Sequence, residues 1–172
     1  SIWYDNISRG MIKSGELKRL VDMGVSGLTS NPTIFEKAIA QGKDYDEVIL
    51  DFLSSGKGVD EAYEALVVQD IRDAADLLRH VYDRTDGADG YASLEVNPHL
   101  AHDTDKTVSE AERLFSELDR PNVMMKVPAT PEGMPAIRRL IGEGININVT
   151  LIFSLNAYRD VRQAYMAGLE DL

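Results

Sequence analysis

The sequence predicts an α/β fold built on a parallel sheet. Five short apolar segments are each followed by a longer stretch in which apolar residues recur every three or four positions, the spacing of an amphipathic helix. Repeated strand-then-helix units place parallel strands side by side with the helices outside the sheet. The predicted strands are Ile2 to Tyr4, Val25 to Leu28, Tyr91 to Val96, Val123 to Val127 and Ile147 to Phe153.

A predicted helical stretch follows each strand. The stretch after the second strand is unusually long, and the Ser-Ser-Gly-Lys-Gly run at 54–58 predicts that it breaks into two or three helices. Asp103-Thr104 or Asp105 is a candidate N-cap after the third strand, and Pro131 is a helix-start residue after the fourth. The predicted helical stretches are Ile12 to Asp22, Phe35 to Tyr82, Thr107 to Leu118, Glu132 to Gly142 and Asn156 to Leu169.

Composition limits the classes of function. The net charge of −11, from 29 acidic and 18 basic residues, argues against binding to nucleic acid or acidic membranes, but a small phosphorylated substrate stays possible. The absence of cysteine excludes disulfides, thiolate zinc sites and cysteine nucleophiles. No run of about 18 apolar residues and no signal peptide is visible. The absence of cysteine fits a cytoplasmic protein, which is the expected location. The 172 residues are predicted to form one domain, 1–172.

Two architectures fit this repetition: an open doubly wound sheet and a (β/α)8 barrel. No G-x-G-x-x-G motif follows a predicted strand, which weakens the dinucleotide-binding alternative. Polar residues lie instead at the C-terminal ends of successive strands, which form the catalytic face of a barrel. A complete barrel needs about 250 residues. The interpretation is therefore a (β/α)8 TIM barrel that is incomplete, with about its first five βα units.

Lys126 is the most informative residue of the chain. It lies in the apolar run Val-Met-Met-Lys-Val-Pro, which is predicted to be a core strand. Burying an ammonium group costs several kcal/mol, so a buried lysine is usually paired or deprotonated. A neutral lysine amine can form a Schiff base with a carbonyl substrate. The alternative is a structural lysine whose charged end reaches solvent at the strand end.

Polar residues also follow the first two strands. Asp5 comes directly after the first strand, where it is either a general base at the barrel mouth or a turn residue. Thr29, Ser30 and Asn31 end the second strand. Pro32 forces Asn31 into an extended conformation, from which its amide can both donate and accept hydrogen bonds.

The third and fifth strands carry polar residues on alternating positions. Glu95 shares one face with Ser93 and Asn97, which makes it a candidate for proton transfer. On the fifth strand, Asn148 and Thr150 share one face with Asn146. A solvated sheet face would show the same alternation, so this pattern alone leaves both interpretations open.

Four segments together resemble one enzyme family, transaldolase. The segments are Gly27 to Ala38, Ser93 to Thr104, Val123 to Ile137 and Gly144 to Leu155, in the order and spacing of that family. The resemblance covers the chain from Ile2 to about Ala167. Trp-Tyr-Asp-Asn at the start and the long connection after the second strand resemble the bacterial subgroup that sometimes occurs fused to glucose-6-phosphate isomerase.

The resemblance implies a (β/α)8 enzyme of the pentose phosphate pathway that works without a cofactor or metal. Such an enzyme moves a dihydroxyacetone unit from sedoheptulose 7-phosphate to glyceraldehyde 3-phosphate, which yields erythrose 4-phosphate and fructose 6-phosphate. Lys126 would form the Schiff base, with Glu95 acting as acid and base through a water held with Thr150. Asp5 would accept the proton of the C4 hydroxyl. The implied substrate-binding residues are Asn31, Asn148, Thr29 and Ser30.

The resemblance also leaves a gap and two alternatives. The serine and arginines that hold the substrate phosphate in the family lie beyond Leu172, and Arg138, Arg159 and Arg162 are predicted to be solvated on outer helices. One alternative is a fructose-6-phosphate aldolase, a group that usually has glutamine at the position of Glu95 and tyrosine at that of Phe153. The other is an inactive half-barrel with open strand edges, which would form a homodimer or pair with a missing half.

Overall fold

The computed structural model describes residues 1–56 and 58–172, which fall into two compact units. Ser1–Ala92 and Arg120–Asn122 form the first unit, and Ser93–Asp119 and Val123–Leu172 form the second. The elements up to the third strand are β1 (Trp3–Tyr4), α1 (Arg9–Lys13), α2 (Glu16–Asp22), β2 (Gly27–Thr29), α3 (Pro32–Gln41), α4 (Asp46–Ser54), α5 (Val59–Arg84) and β3 (Tyr91–Glu95). The later elements are a 3-10 helix (Pro98–Leu100), α6 (Thr104–Leu118), β4 (Val123–Pro128), α7 (Gly133–Gly142), β5 (Ile147–Thr150) and α8 (Leu155–Asp171).

The strands follow one another in chain order, β1-β2-β3-β4-β5. The first two pair in parallel with Tyr4 opposite Leu28, and the last two pair in parallel with Lys126 opposite Asn148. Parallel strands in chain order, each followed by helices, are the order of consecutive units in a (β/α)8 barrel. The predicted α/β fold class is confirmed. The prediction of a single domain stays a prediction.

The first unit is built around the long helix α5. Its apolar stripe is buried along one face, and the break predicted at 54–58 is confirmed, since α4 ends at Ser54 and α5 begins at Val59. Lys57, which belongs to the predicted break, lies outside the described residues. The single helix predicted from Ile12 to Asp22 is wrong. Two short helices stand there instead, because Gly15 adopts a φ of 76°, a conformation that a helix cannot contain.

The second unit confirms one predicted cap and corrects two boundaries. Asp103 is the N-cap of α6, and its side chain accepts a hydrogen bond from the backbone N–H of Lys106 at 3.0 Å. Helix α7 begins at Gly133, so Pro131 precedes the helix by two residues. Strand β5 ends at Thr150 and not at Phe153, because Leu151 has a φ of 64° and turns the chain out of the strand.

Within the described ranges 1–56 and 58–172, no helix has both the length and the apolar character that crossing a bilayer requires.

Candidate active site

The second unit places Lys126 and Glu95 in direct contact. The Nζ atom of Lys126 lies 3.0 Å from Oε2 of Glu95, and the two side chains are only 11% and 16% exposed. Lys126 is carried by β4 and Glu95 ends β3, and these two strands are joined by the hydrogen bond from the Val96 N–H to the Lys126 carbonyl at 3.2 Å. The lysine is therefore buried and paired with a carboxylate, and its charged end does not extend into solvent.

Asn148 lies beside this pair on the neighbouring strand. It is the register partner of Lys126 across β4 and β5, so the two side chains share one face of the sheet. Its Nδ2 donates to the hydroxyl of Ser93 at 3.0 Å, and Ser93 is fully buried on the face that also carries Glu95. The predicted common face of β3, β4 and β5 is confirmed for these four residues. Ser93 fixes the orientation of the Asn148 amide.

Thr150 ends β5 opposite Pro128 of β4. Its carbonyl accepts a hydrogen bond from Ala129 at 2.8 Å, which holds its backbone in place. Its hydroxyl makes no hydrogen bond with the described residues, so it is available to a substrate or a water. Leu151 follows with the positive φ given above, a conformation that is uncommon for a residue other than glycine and often found at functional sites.

The first unit carries Asp5 at the end of β1. The carboxylate is exposed and lines a cavity of about 550 Å³ between the β1–α1 connection and one face of α3. Tyr4 and Leu28 are register partners across β1 and β2. Asp5 directly follows Tyr4, and Thr29 directly follows Leu28. The residues predicted on the first two strands therefore lie at neighbouring strand ends within this unit.

Asn31 is the N-cap of α3. Its Oδ1 accepts a hydrogen bond from the backbone N–H of Ile34 at 2.9 Å, and the residue has the extended conformation expected before proline. The cap uses the acceptor of the amide, whereas Nδ2 makes no hydrogen bond within the part of the chain that the structure describes. This donor can therefore serve a hydroxyl ligand. The turn interpretation and the binding interpretation of Asn31 are compatible.

Thr29 and Ser30 precede Asn31. The Thr29 hydroxyl oxygen is buried and has no hydrogen-bond partner among residues 1–56 and 58–172. Buried polar atoms without a partner are rare in folded proteins and call for an explanation such as a ligand. Ser30 is fully buried.

The first unit also contains a buried polar network that was not predicted from the sequence. Arg9 Nε lies 2.8 Å from Asp70 Oδ1, and the Tyr45 hydroxyl donates to Asp70 Oδ2 at 2.8 Å. Burial raises the pKa of the Asp70 carboxyl, opposed by the Tyr45 hydrogen bond and the charge of Arg9. Burial also raises the pKa of the Tyr45 hydroxyl. One pattern in the sequence indicates that Asp70 is buried. It lies four residues after Leu66 and four before Ala74, on the apolar stripe of α5.

The three arginines predicted to lie on outer helices are exposed. Arg138 binds Asp171 on α8 through Nε at 2.6 Å, and Arg159 and Arg162 are solvated on α8. Groups of three or more histidine and carboxylate side chains able to hold a metal ion do not occur within 1–56 and 58–172.

Comparison with known proteins identifies the class of protein. The sequence model of the family described as Transaldolase/Fructose-6-phosphate aldolase matches residues 2–170. The chain belongs to this family.

Relatives named transaldolase are about half identical to this chain over the region that matches it. The transaldolase of Saccharopolyspora erythraea is 54% identical over 171 residues, which are 99% of this chain and 46% of that protein. The transaldolases of Trichodesmium erythraeum and Thermobifida fusca are each 53% identical over 99% of the chain, and the match covers 45% and 46% of their lengths. The chain therefore spans about half the length of the curated relatives it matches.

Proposed function

We propose that this chain carries the catalytic groups of a transaldolase that works through a Schiff base on Lys126. The single observation that carries the proposal is the buried contact of 3.0 Å between Lys126 Nζ and Glu95 Oε2. A nucleophilic amine needs a base within hydrogen-bond reach, and this pair has that geometry. Family membership and the names of the relatives support the class of reaction.

Schiff-base formation begins with proton transfer from the Lys126 ammonium to Glu95. The carboxylate that contacts the amine in the ion pair is also the group that accepts its proton. The free amine attacks the C2 carbonyl of a ketose phosphate and forms a carbinolamine. Glu95 returns the proton to the C2 hydroxyl, which leaves as water, and the iminium remains. A water held between Glu95 and Thr150 can extend this proton transfer to the substrate.

Carbon–carbon cleavage then uses the iminium as an electron sink. Asp5 takes the proton of the C4 hydroxyl, and C4 with its oxygen becomes the aldehyde group of the leaving sugar. The electrons of the C3–C4 bond move into the iminium and give an enamine. The aldose phosphate leaves, and the enamine attacks the aldehyde carbon of the acceptor in the reverse sequence. The Asn148 amide and the free Nδ2 of Asn31 hold the hydroxyls of the dihydroxyacetone unit.

The substrates are part of the proposal. The donors are sedoheptulose 7-phosphate and fructose 6-phosphate, and the acceptors are glyceraldehyde 3-phosphate and erythrose 4-phosphate, which places the reaction in the pentose phosphate pathway. No cofactor takes part. The proposal does not assign the phosphate site to Arg138, Arg159 or Arg162, which are exposed side chains of α7 and α8.

The proposal includes self-association or pairing with a further part of the barrel. Strand β5 is last in the strand order, and the residues after it, Leu151, Phe153 and Leu155, are exposed apolar side chains. An open strand edge beside apolar side chains favours pairing with another chain or segment.

A product assay tests the transfer reaction. The chain is incubated with fructose 6-phosphate, with and without erythrose 4-phosphate, and the sugars are separated by chromatography. A transaldolase forms sedoheptulose 7-phosphate and glyceraldehyde 3-phosphate only when the acceptor is present, and the variant Lys126→Ala forms neither. Lys106→Ala is the matched control, because Lys106 is an exposed lysine of the same unit, paired with Asp103.

Two outcomes of this assay favour other functions. Free dihydroxyacetone released without an acceptor indicates the fructose-6-phosphate aldolase activity that the family description also names. Equal product formation by Lys126→Ala and the unmodified chain contradicts the proposed role of Lys126.

A further inference from the structure

The buried network of Arg9, Tyr45 and Asp70 joins three separate elements of the first unit. Arg9 is the first residue of α1, Tyr45 precedes α4, and Asp70 lies in the middle of α5. The side chains of Arg9 and Asp70 are 9% and 0% exposed, and Tyr45 is 1% exposed. The guanidinium of Arg9 also lies over the Tyr45 ring, with its Cζ atom 4.8 Å from the ring centroid.

The Tyr45 hydroxyl is the centre of this network. It donates to Asp70 Oδ2 at 2.8 Å and accepts from the backbone N–H of Arg9 at 2.9 Å. That N–H is one of the donors at a helix N-terminus that have no partner inside the helix. Ser8 satisfies another, because its hydroxyl accepts from the Met11 N–H at 3.2 Å. The beginning of α1 is therefore fixed by one local cap and by a tyrosine 36 residues further along the chain.

A contribution to the free energy of folding does not by itself explain why such a network is present. A buried ion pair contributes little net free energy compared with apolar side chains of the same size, because both charges lose their water. It does fix geometry, since Asp70 meets both Arg9 and Tyr45 at hydrogen-bond distance. The packing around it is also close. A Cβ atom on Gly10 would lie 2.8 Å from Asp44 Oδ2, so the turn before α4 rests on the first turn of α1.

The geometry points to a positioning role: Tyr45, Asp70 and Arg9 fix the β1–α1 connection that carries Asp5. Three residues separate Asp5 from Arg9, and one of them, Ile7, is anchored in the core at 1% exposure. Tyr45 and Asp5 also line the same cavity. The role rests on the proposed function of Asp5 as the base for carbon–carbon cleavage. A base displaced by about 1 Å loses about 10²-fold in rate.

Tyr45→Phe tests this role with the smallest change available. It removes one oxygen and leaves the volume of the ring, so the Arg9 N–H and the Asp70 carboxylate each lose a partner. Tyr91→Phe is the matched control, because the Tyr91 hydroxyl donates to the Gly87 carbonyl at 2.7 Å in the same unit. Asp70→Asn is a second variant that breaks the network from α5.

The first readout is hydrogen exchange of the backbone amides at 5–12. Losing the Tyr45 hydrogen bond is expected to speed exchange there about fivefold, since such a bond contributes about 1 kcal/mol and about 1.4 kcal/mol corresponds to a factor of ten. Tyr91→Phe leaves that segment unchanged, and Asp70→Asn speeds its exchange as Tyr45→Phe does. Unchanged exchange in Tyr45→Phe, or an equal effect in Tyr91→Phe, overturns the positioning role.

The second readout separates two chemical steps. Borohydride trapping with dihydroxyacetone needs Lys126 but no carbon–carbon cleavage. Release of glyceraldehyde 3-phosphate from fructose 6-phosphate, measured with erythrose 4-phosphate present as acceptor, needs both Lys126 and cleavage. Tyr45→Phe is expected to leave trapping unchanged and to slow release about 10²-fold. A purely structural role would lower both together, and that result or unchanged release overturns the inference. If the unmodified chain is not trapped, the proposed function fails, and the exchange experiment alone decides whether the network fixes the loop.

Discussion

Among single residues, Lys126 must be both buried and reactive in the proposed mechanism. Lys126 has apolar neighbours along β4, but its amine is not isolated, because Glu95 lies 3.0 Å away. One carboxylate therefore offsets the cost of burying the amine, and in the proposed mechanism it also receives the proton when the amine reacts. Asn148, held by Ser93, presents an amide beside them.

Replacing Glu95 with glutamine tests this double role. Glutamine keeps a hydrogen-bond acceptor for Lys126 but cannot receive its proton, so we expect Schiff-base formation to slow about 10²–10⁴-fold. The rate is measured by borohydride trapping with dihydroxyacetone at increasing times. Glu132→Gln is the control, because Glu132 is a carboxylate of the same unit that contacts the exposed His102. An unchanged trapping rate in Glu95→Gln contradicts the role of Glu95.

Among the elements, local patterns predicted where the strands lie and which of their side chains share a face. The alternation in β3 and β5 and the apolar run of β4 were enough to place Glu95, Lys126 and Asn148 on one face, because side chains alternate along a strand. The lengths of the strands were harder to predict from these patterns. Leu151 and Phe153 extend the apolar pattern of β5, yet the positive φ of Leu151 ends the strand, and that conformation leaves no trace in the pattern.

The Arg9–Asp70 pair could not be predicted from local patterns at all. Its members are 61 residues apart in sequence, and a charge on a helix is normally interpreted as solvated. Only the position of Asp70 on the apolar stripe of α5 hinted at burial. The substrate-binding roles of Thr29, Ser30 and Asn31 stay predictions. The structure adds a buried Thr29 hydroxyl without a partner among the described residues and an Asn31 amide half used by its cap.

The packing of α7 against α8 supports a prediction at the same scale. A Cβ atom on Gly168 would lie 2.7 Å from the Arg138 carbonyl oxygen and 2.8 Å from the Ile141 Cβ, so the helices would have to separate. We expect Gly168→Ala to lower the free energy of unfolding, because overpacking costs roughly 1–3 kcal/mol and outweighs the helix preference of alanine, about 1 kcal/mol. Urea unfolding measures the change.

The control for that experiment is Gln163→Ala, an exposed change on the same helix. Its effect should stay within about 0.5 kcal/mol, as for most surface substitutions. A Gly168→Ala chain as stable as the unmodified one would show that the two helices can move apart without cost.

At the scale of the whole molecule, the predicted groups divide between the two units. Lys126, Glu95, Asn148 and Thr150 belong to the second unit, and Asp5 belongs to the first. In the proposed mechanism, Schiff-base formation uses only groups of the second unit, whereas cleavage also uses Asp5. The first chemical step can therefore be examined separately from cleavage and from phosphate binding.

Borohydride trapping with unphosphorylated dihydroxyacetone, followed by peptide mass spectrometry, tests whether Lys126 is the Schiff-base lysine. We expect one reduced dihydroxyacetone unit per chain, attached to Lys126, with no such adduct in Lys126→Arg and an unchanged adduct in Lys106→Ala. An adduct spread over exposed lysines, or equal labelling of Lys126→Arg and the unmodified chain, would contradict the assignment of Lys126 as the Schiff-base lysine.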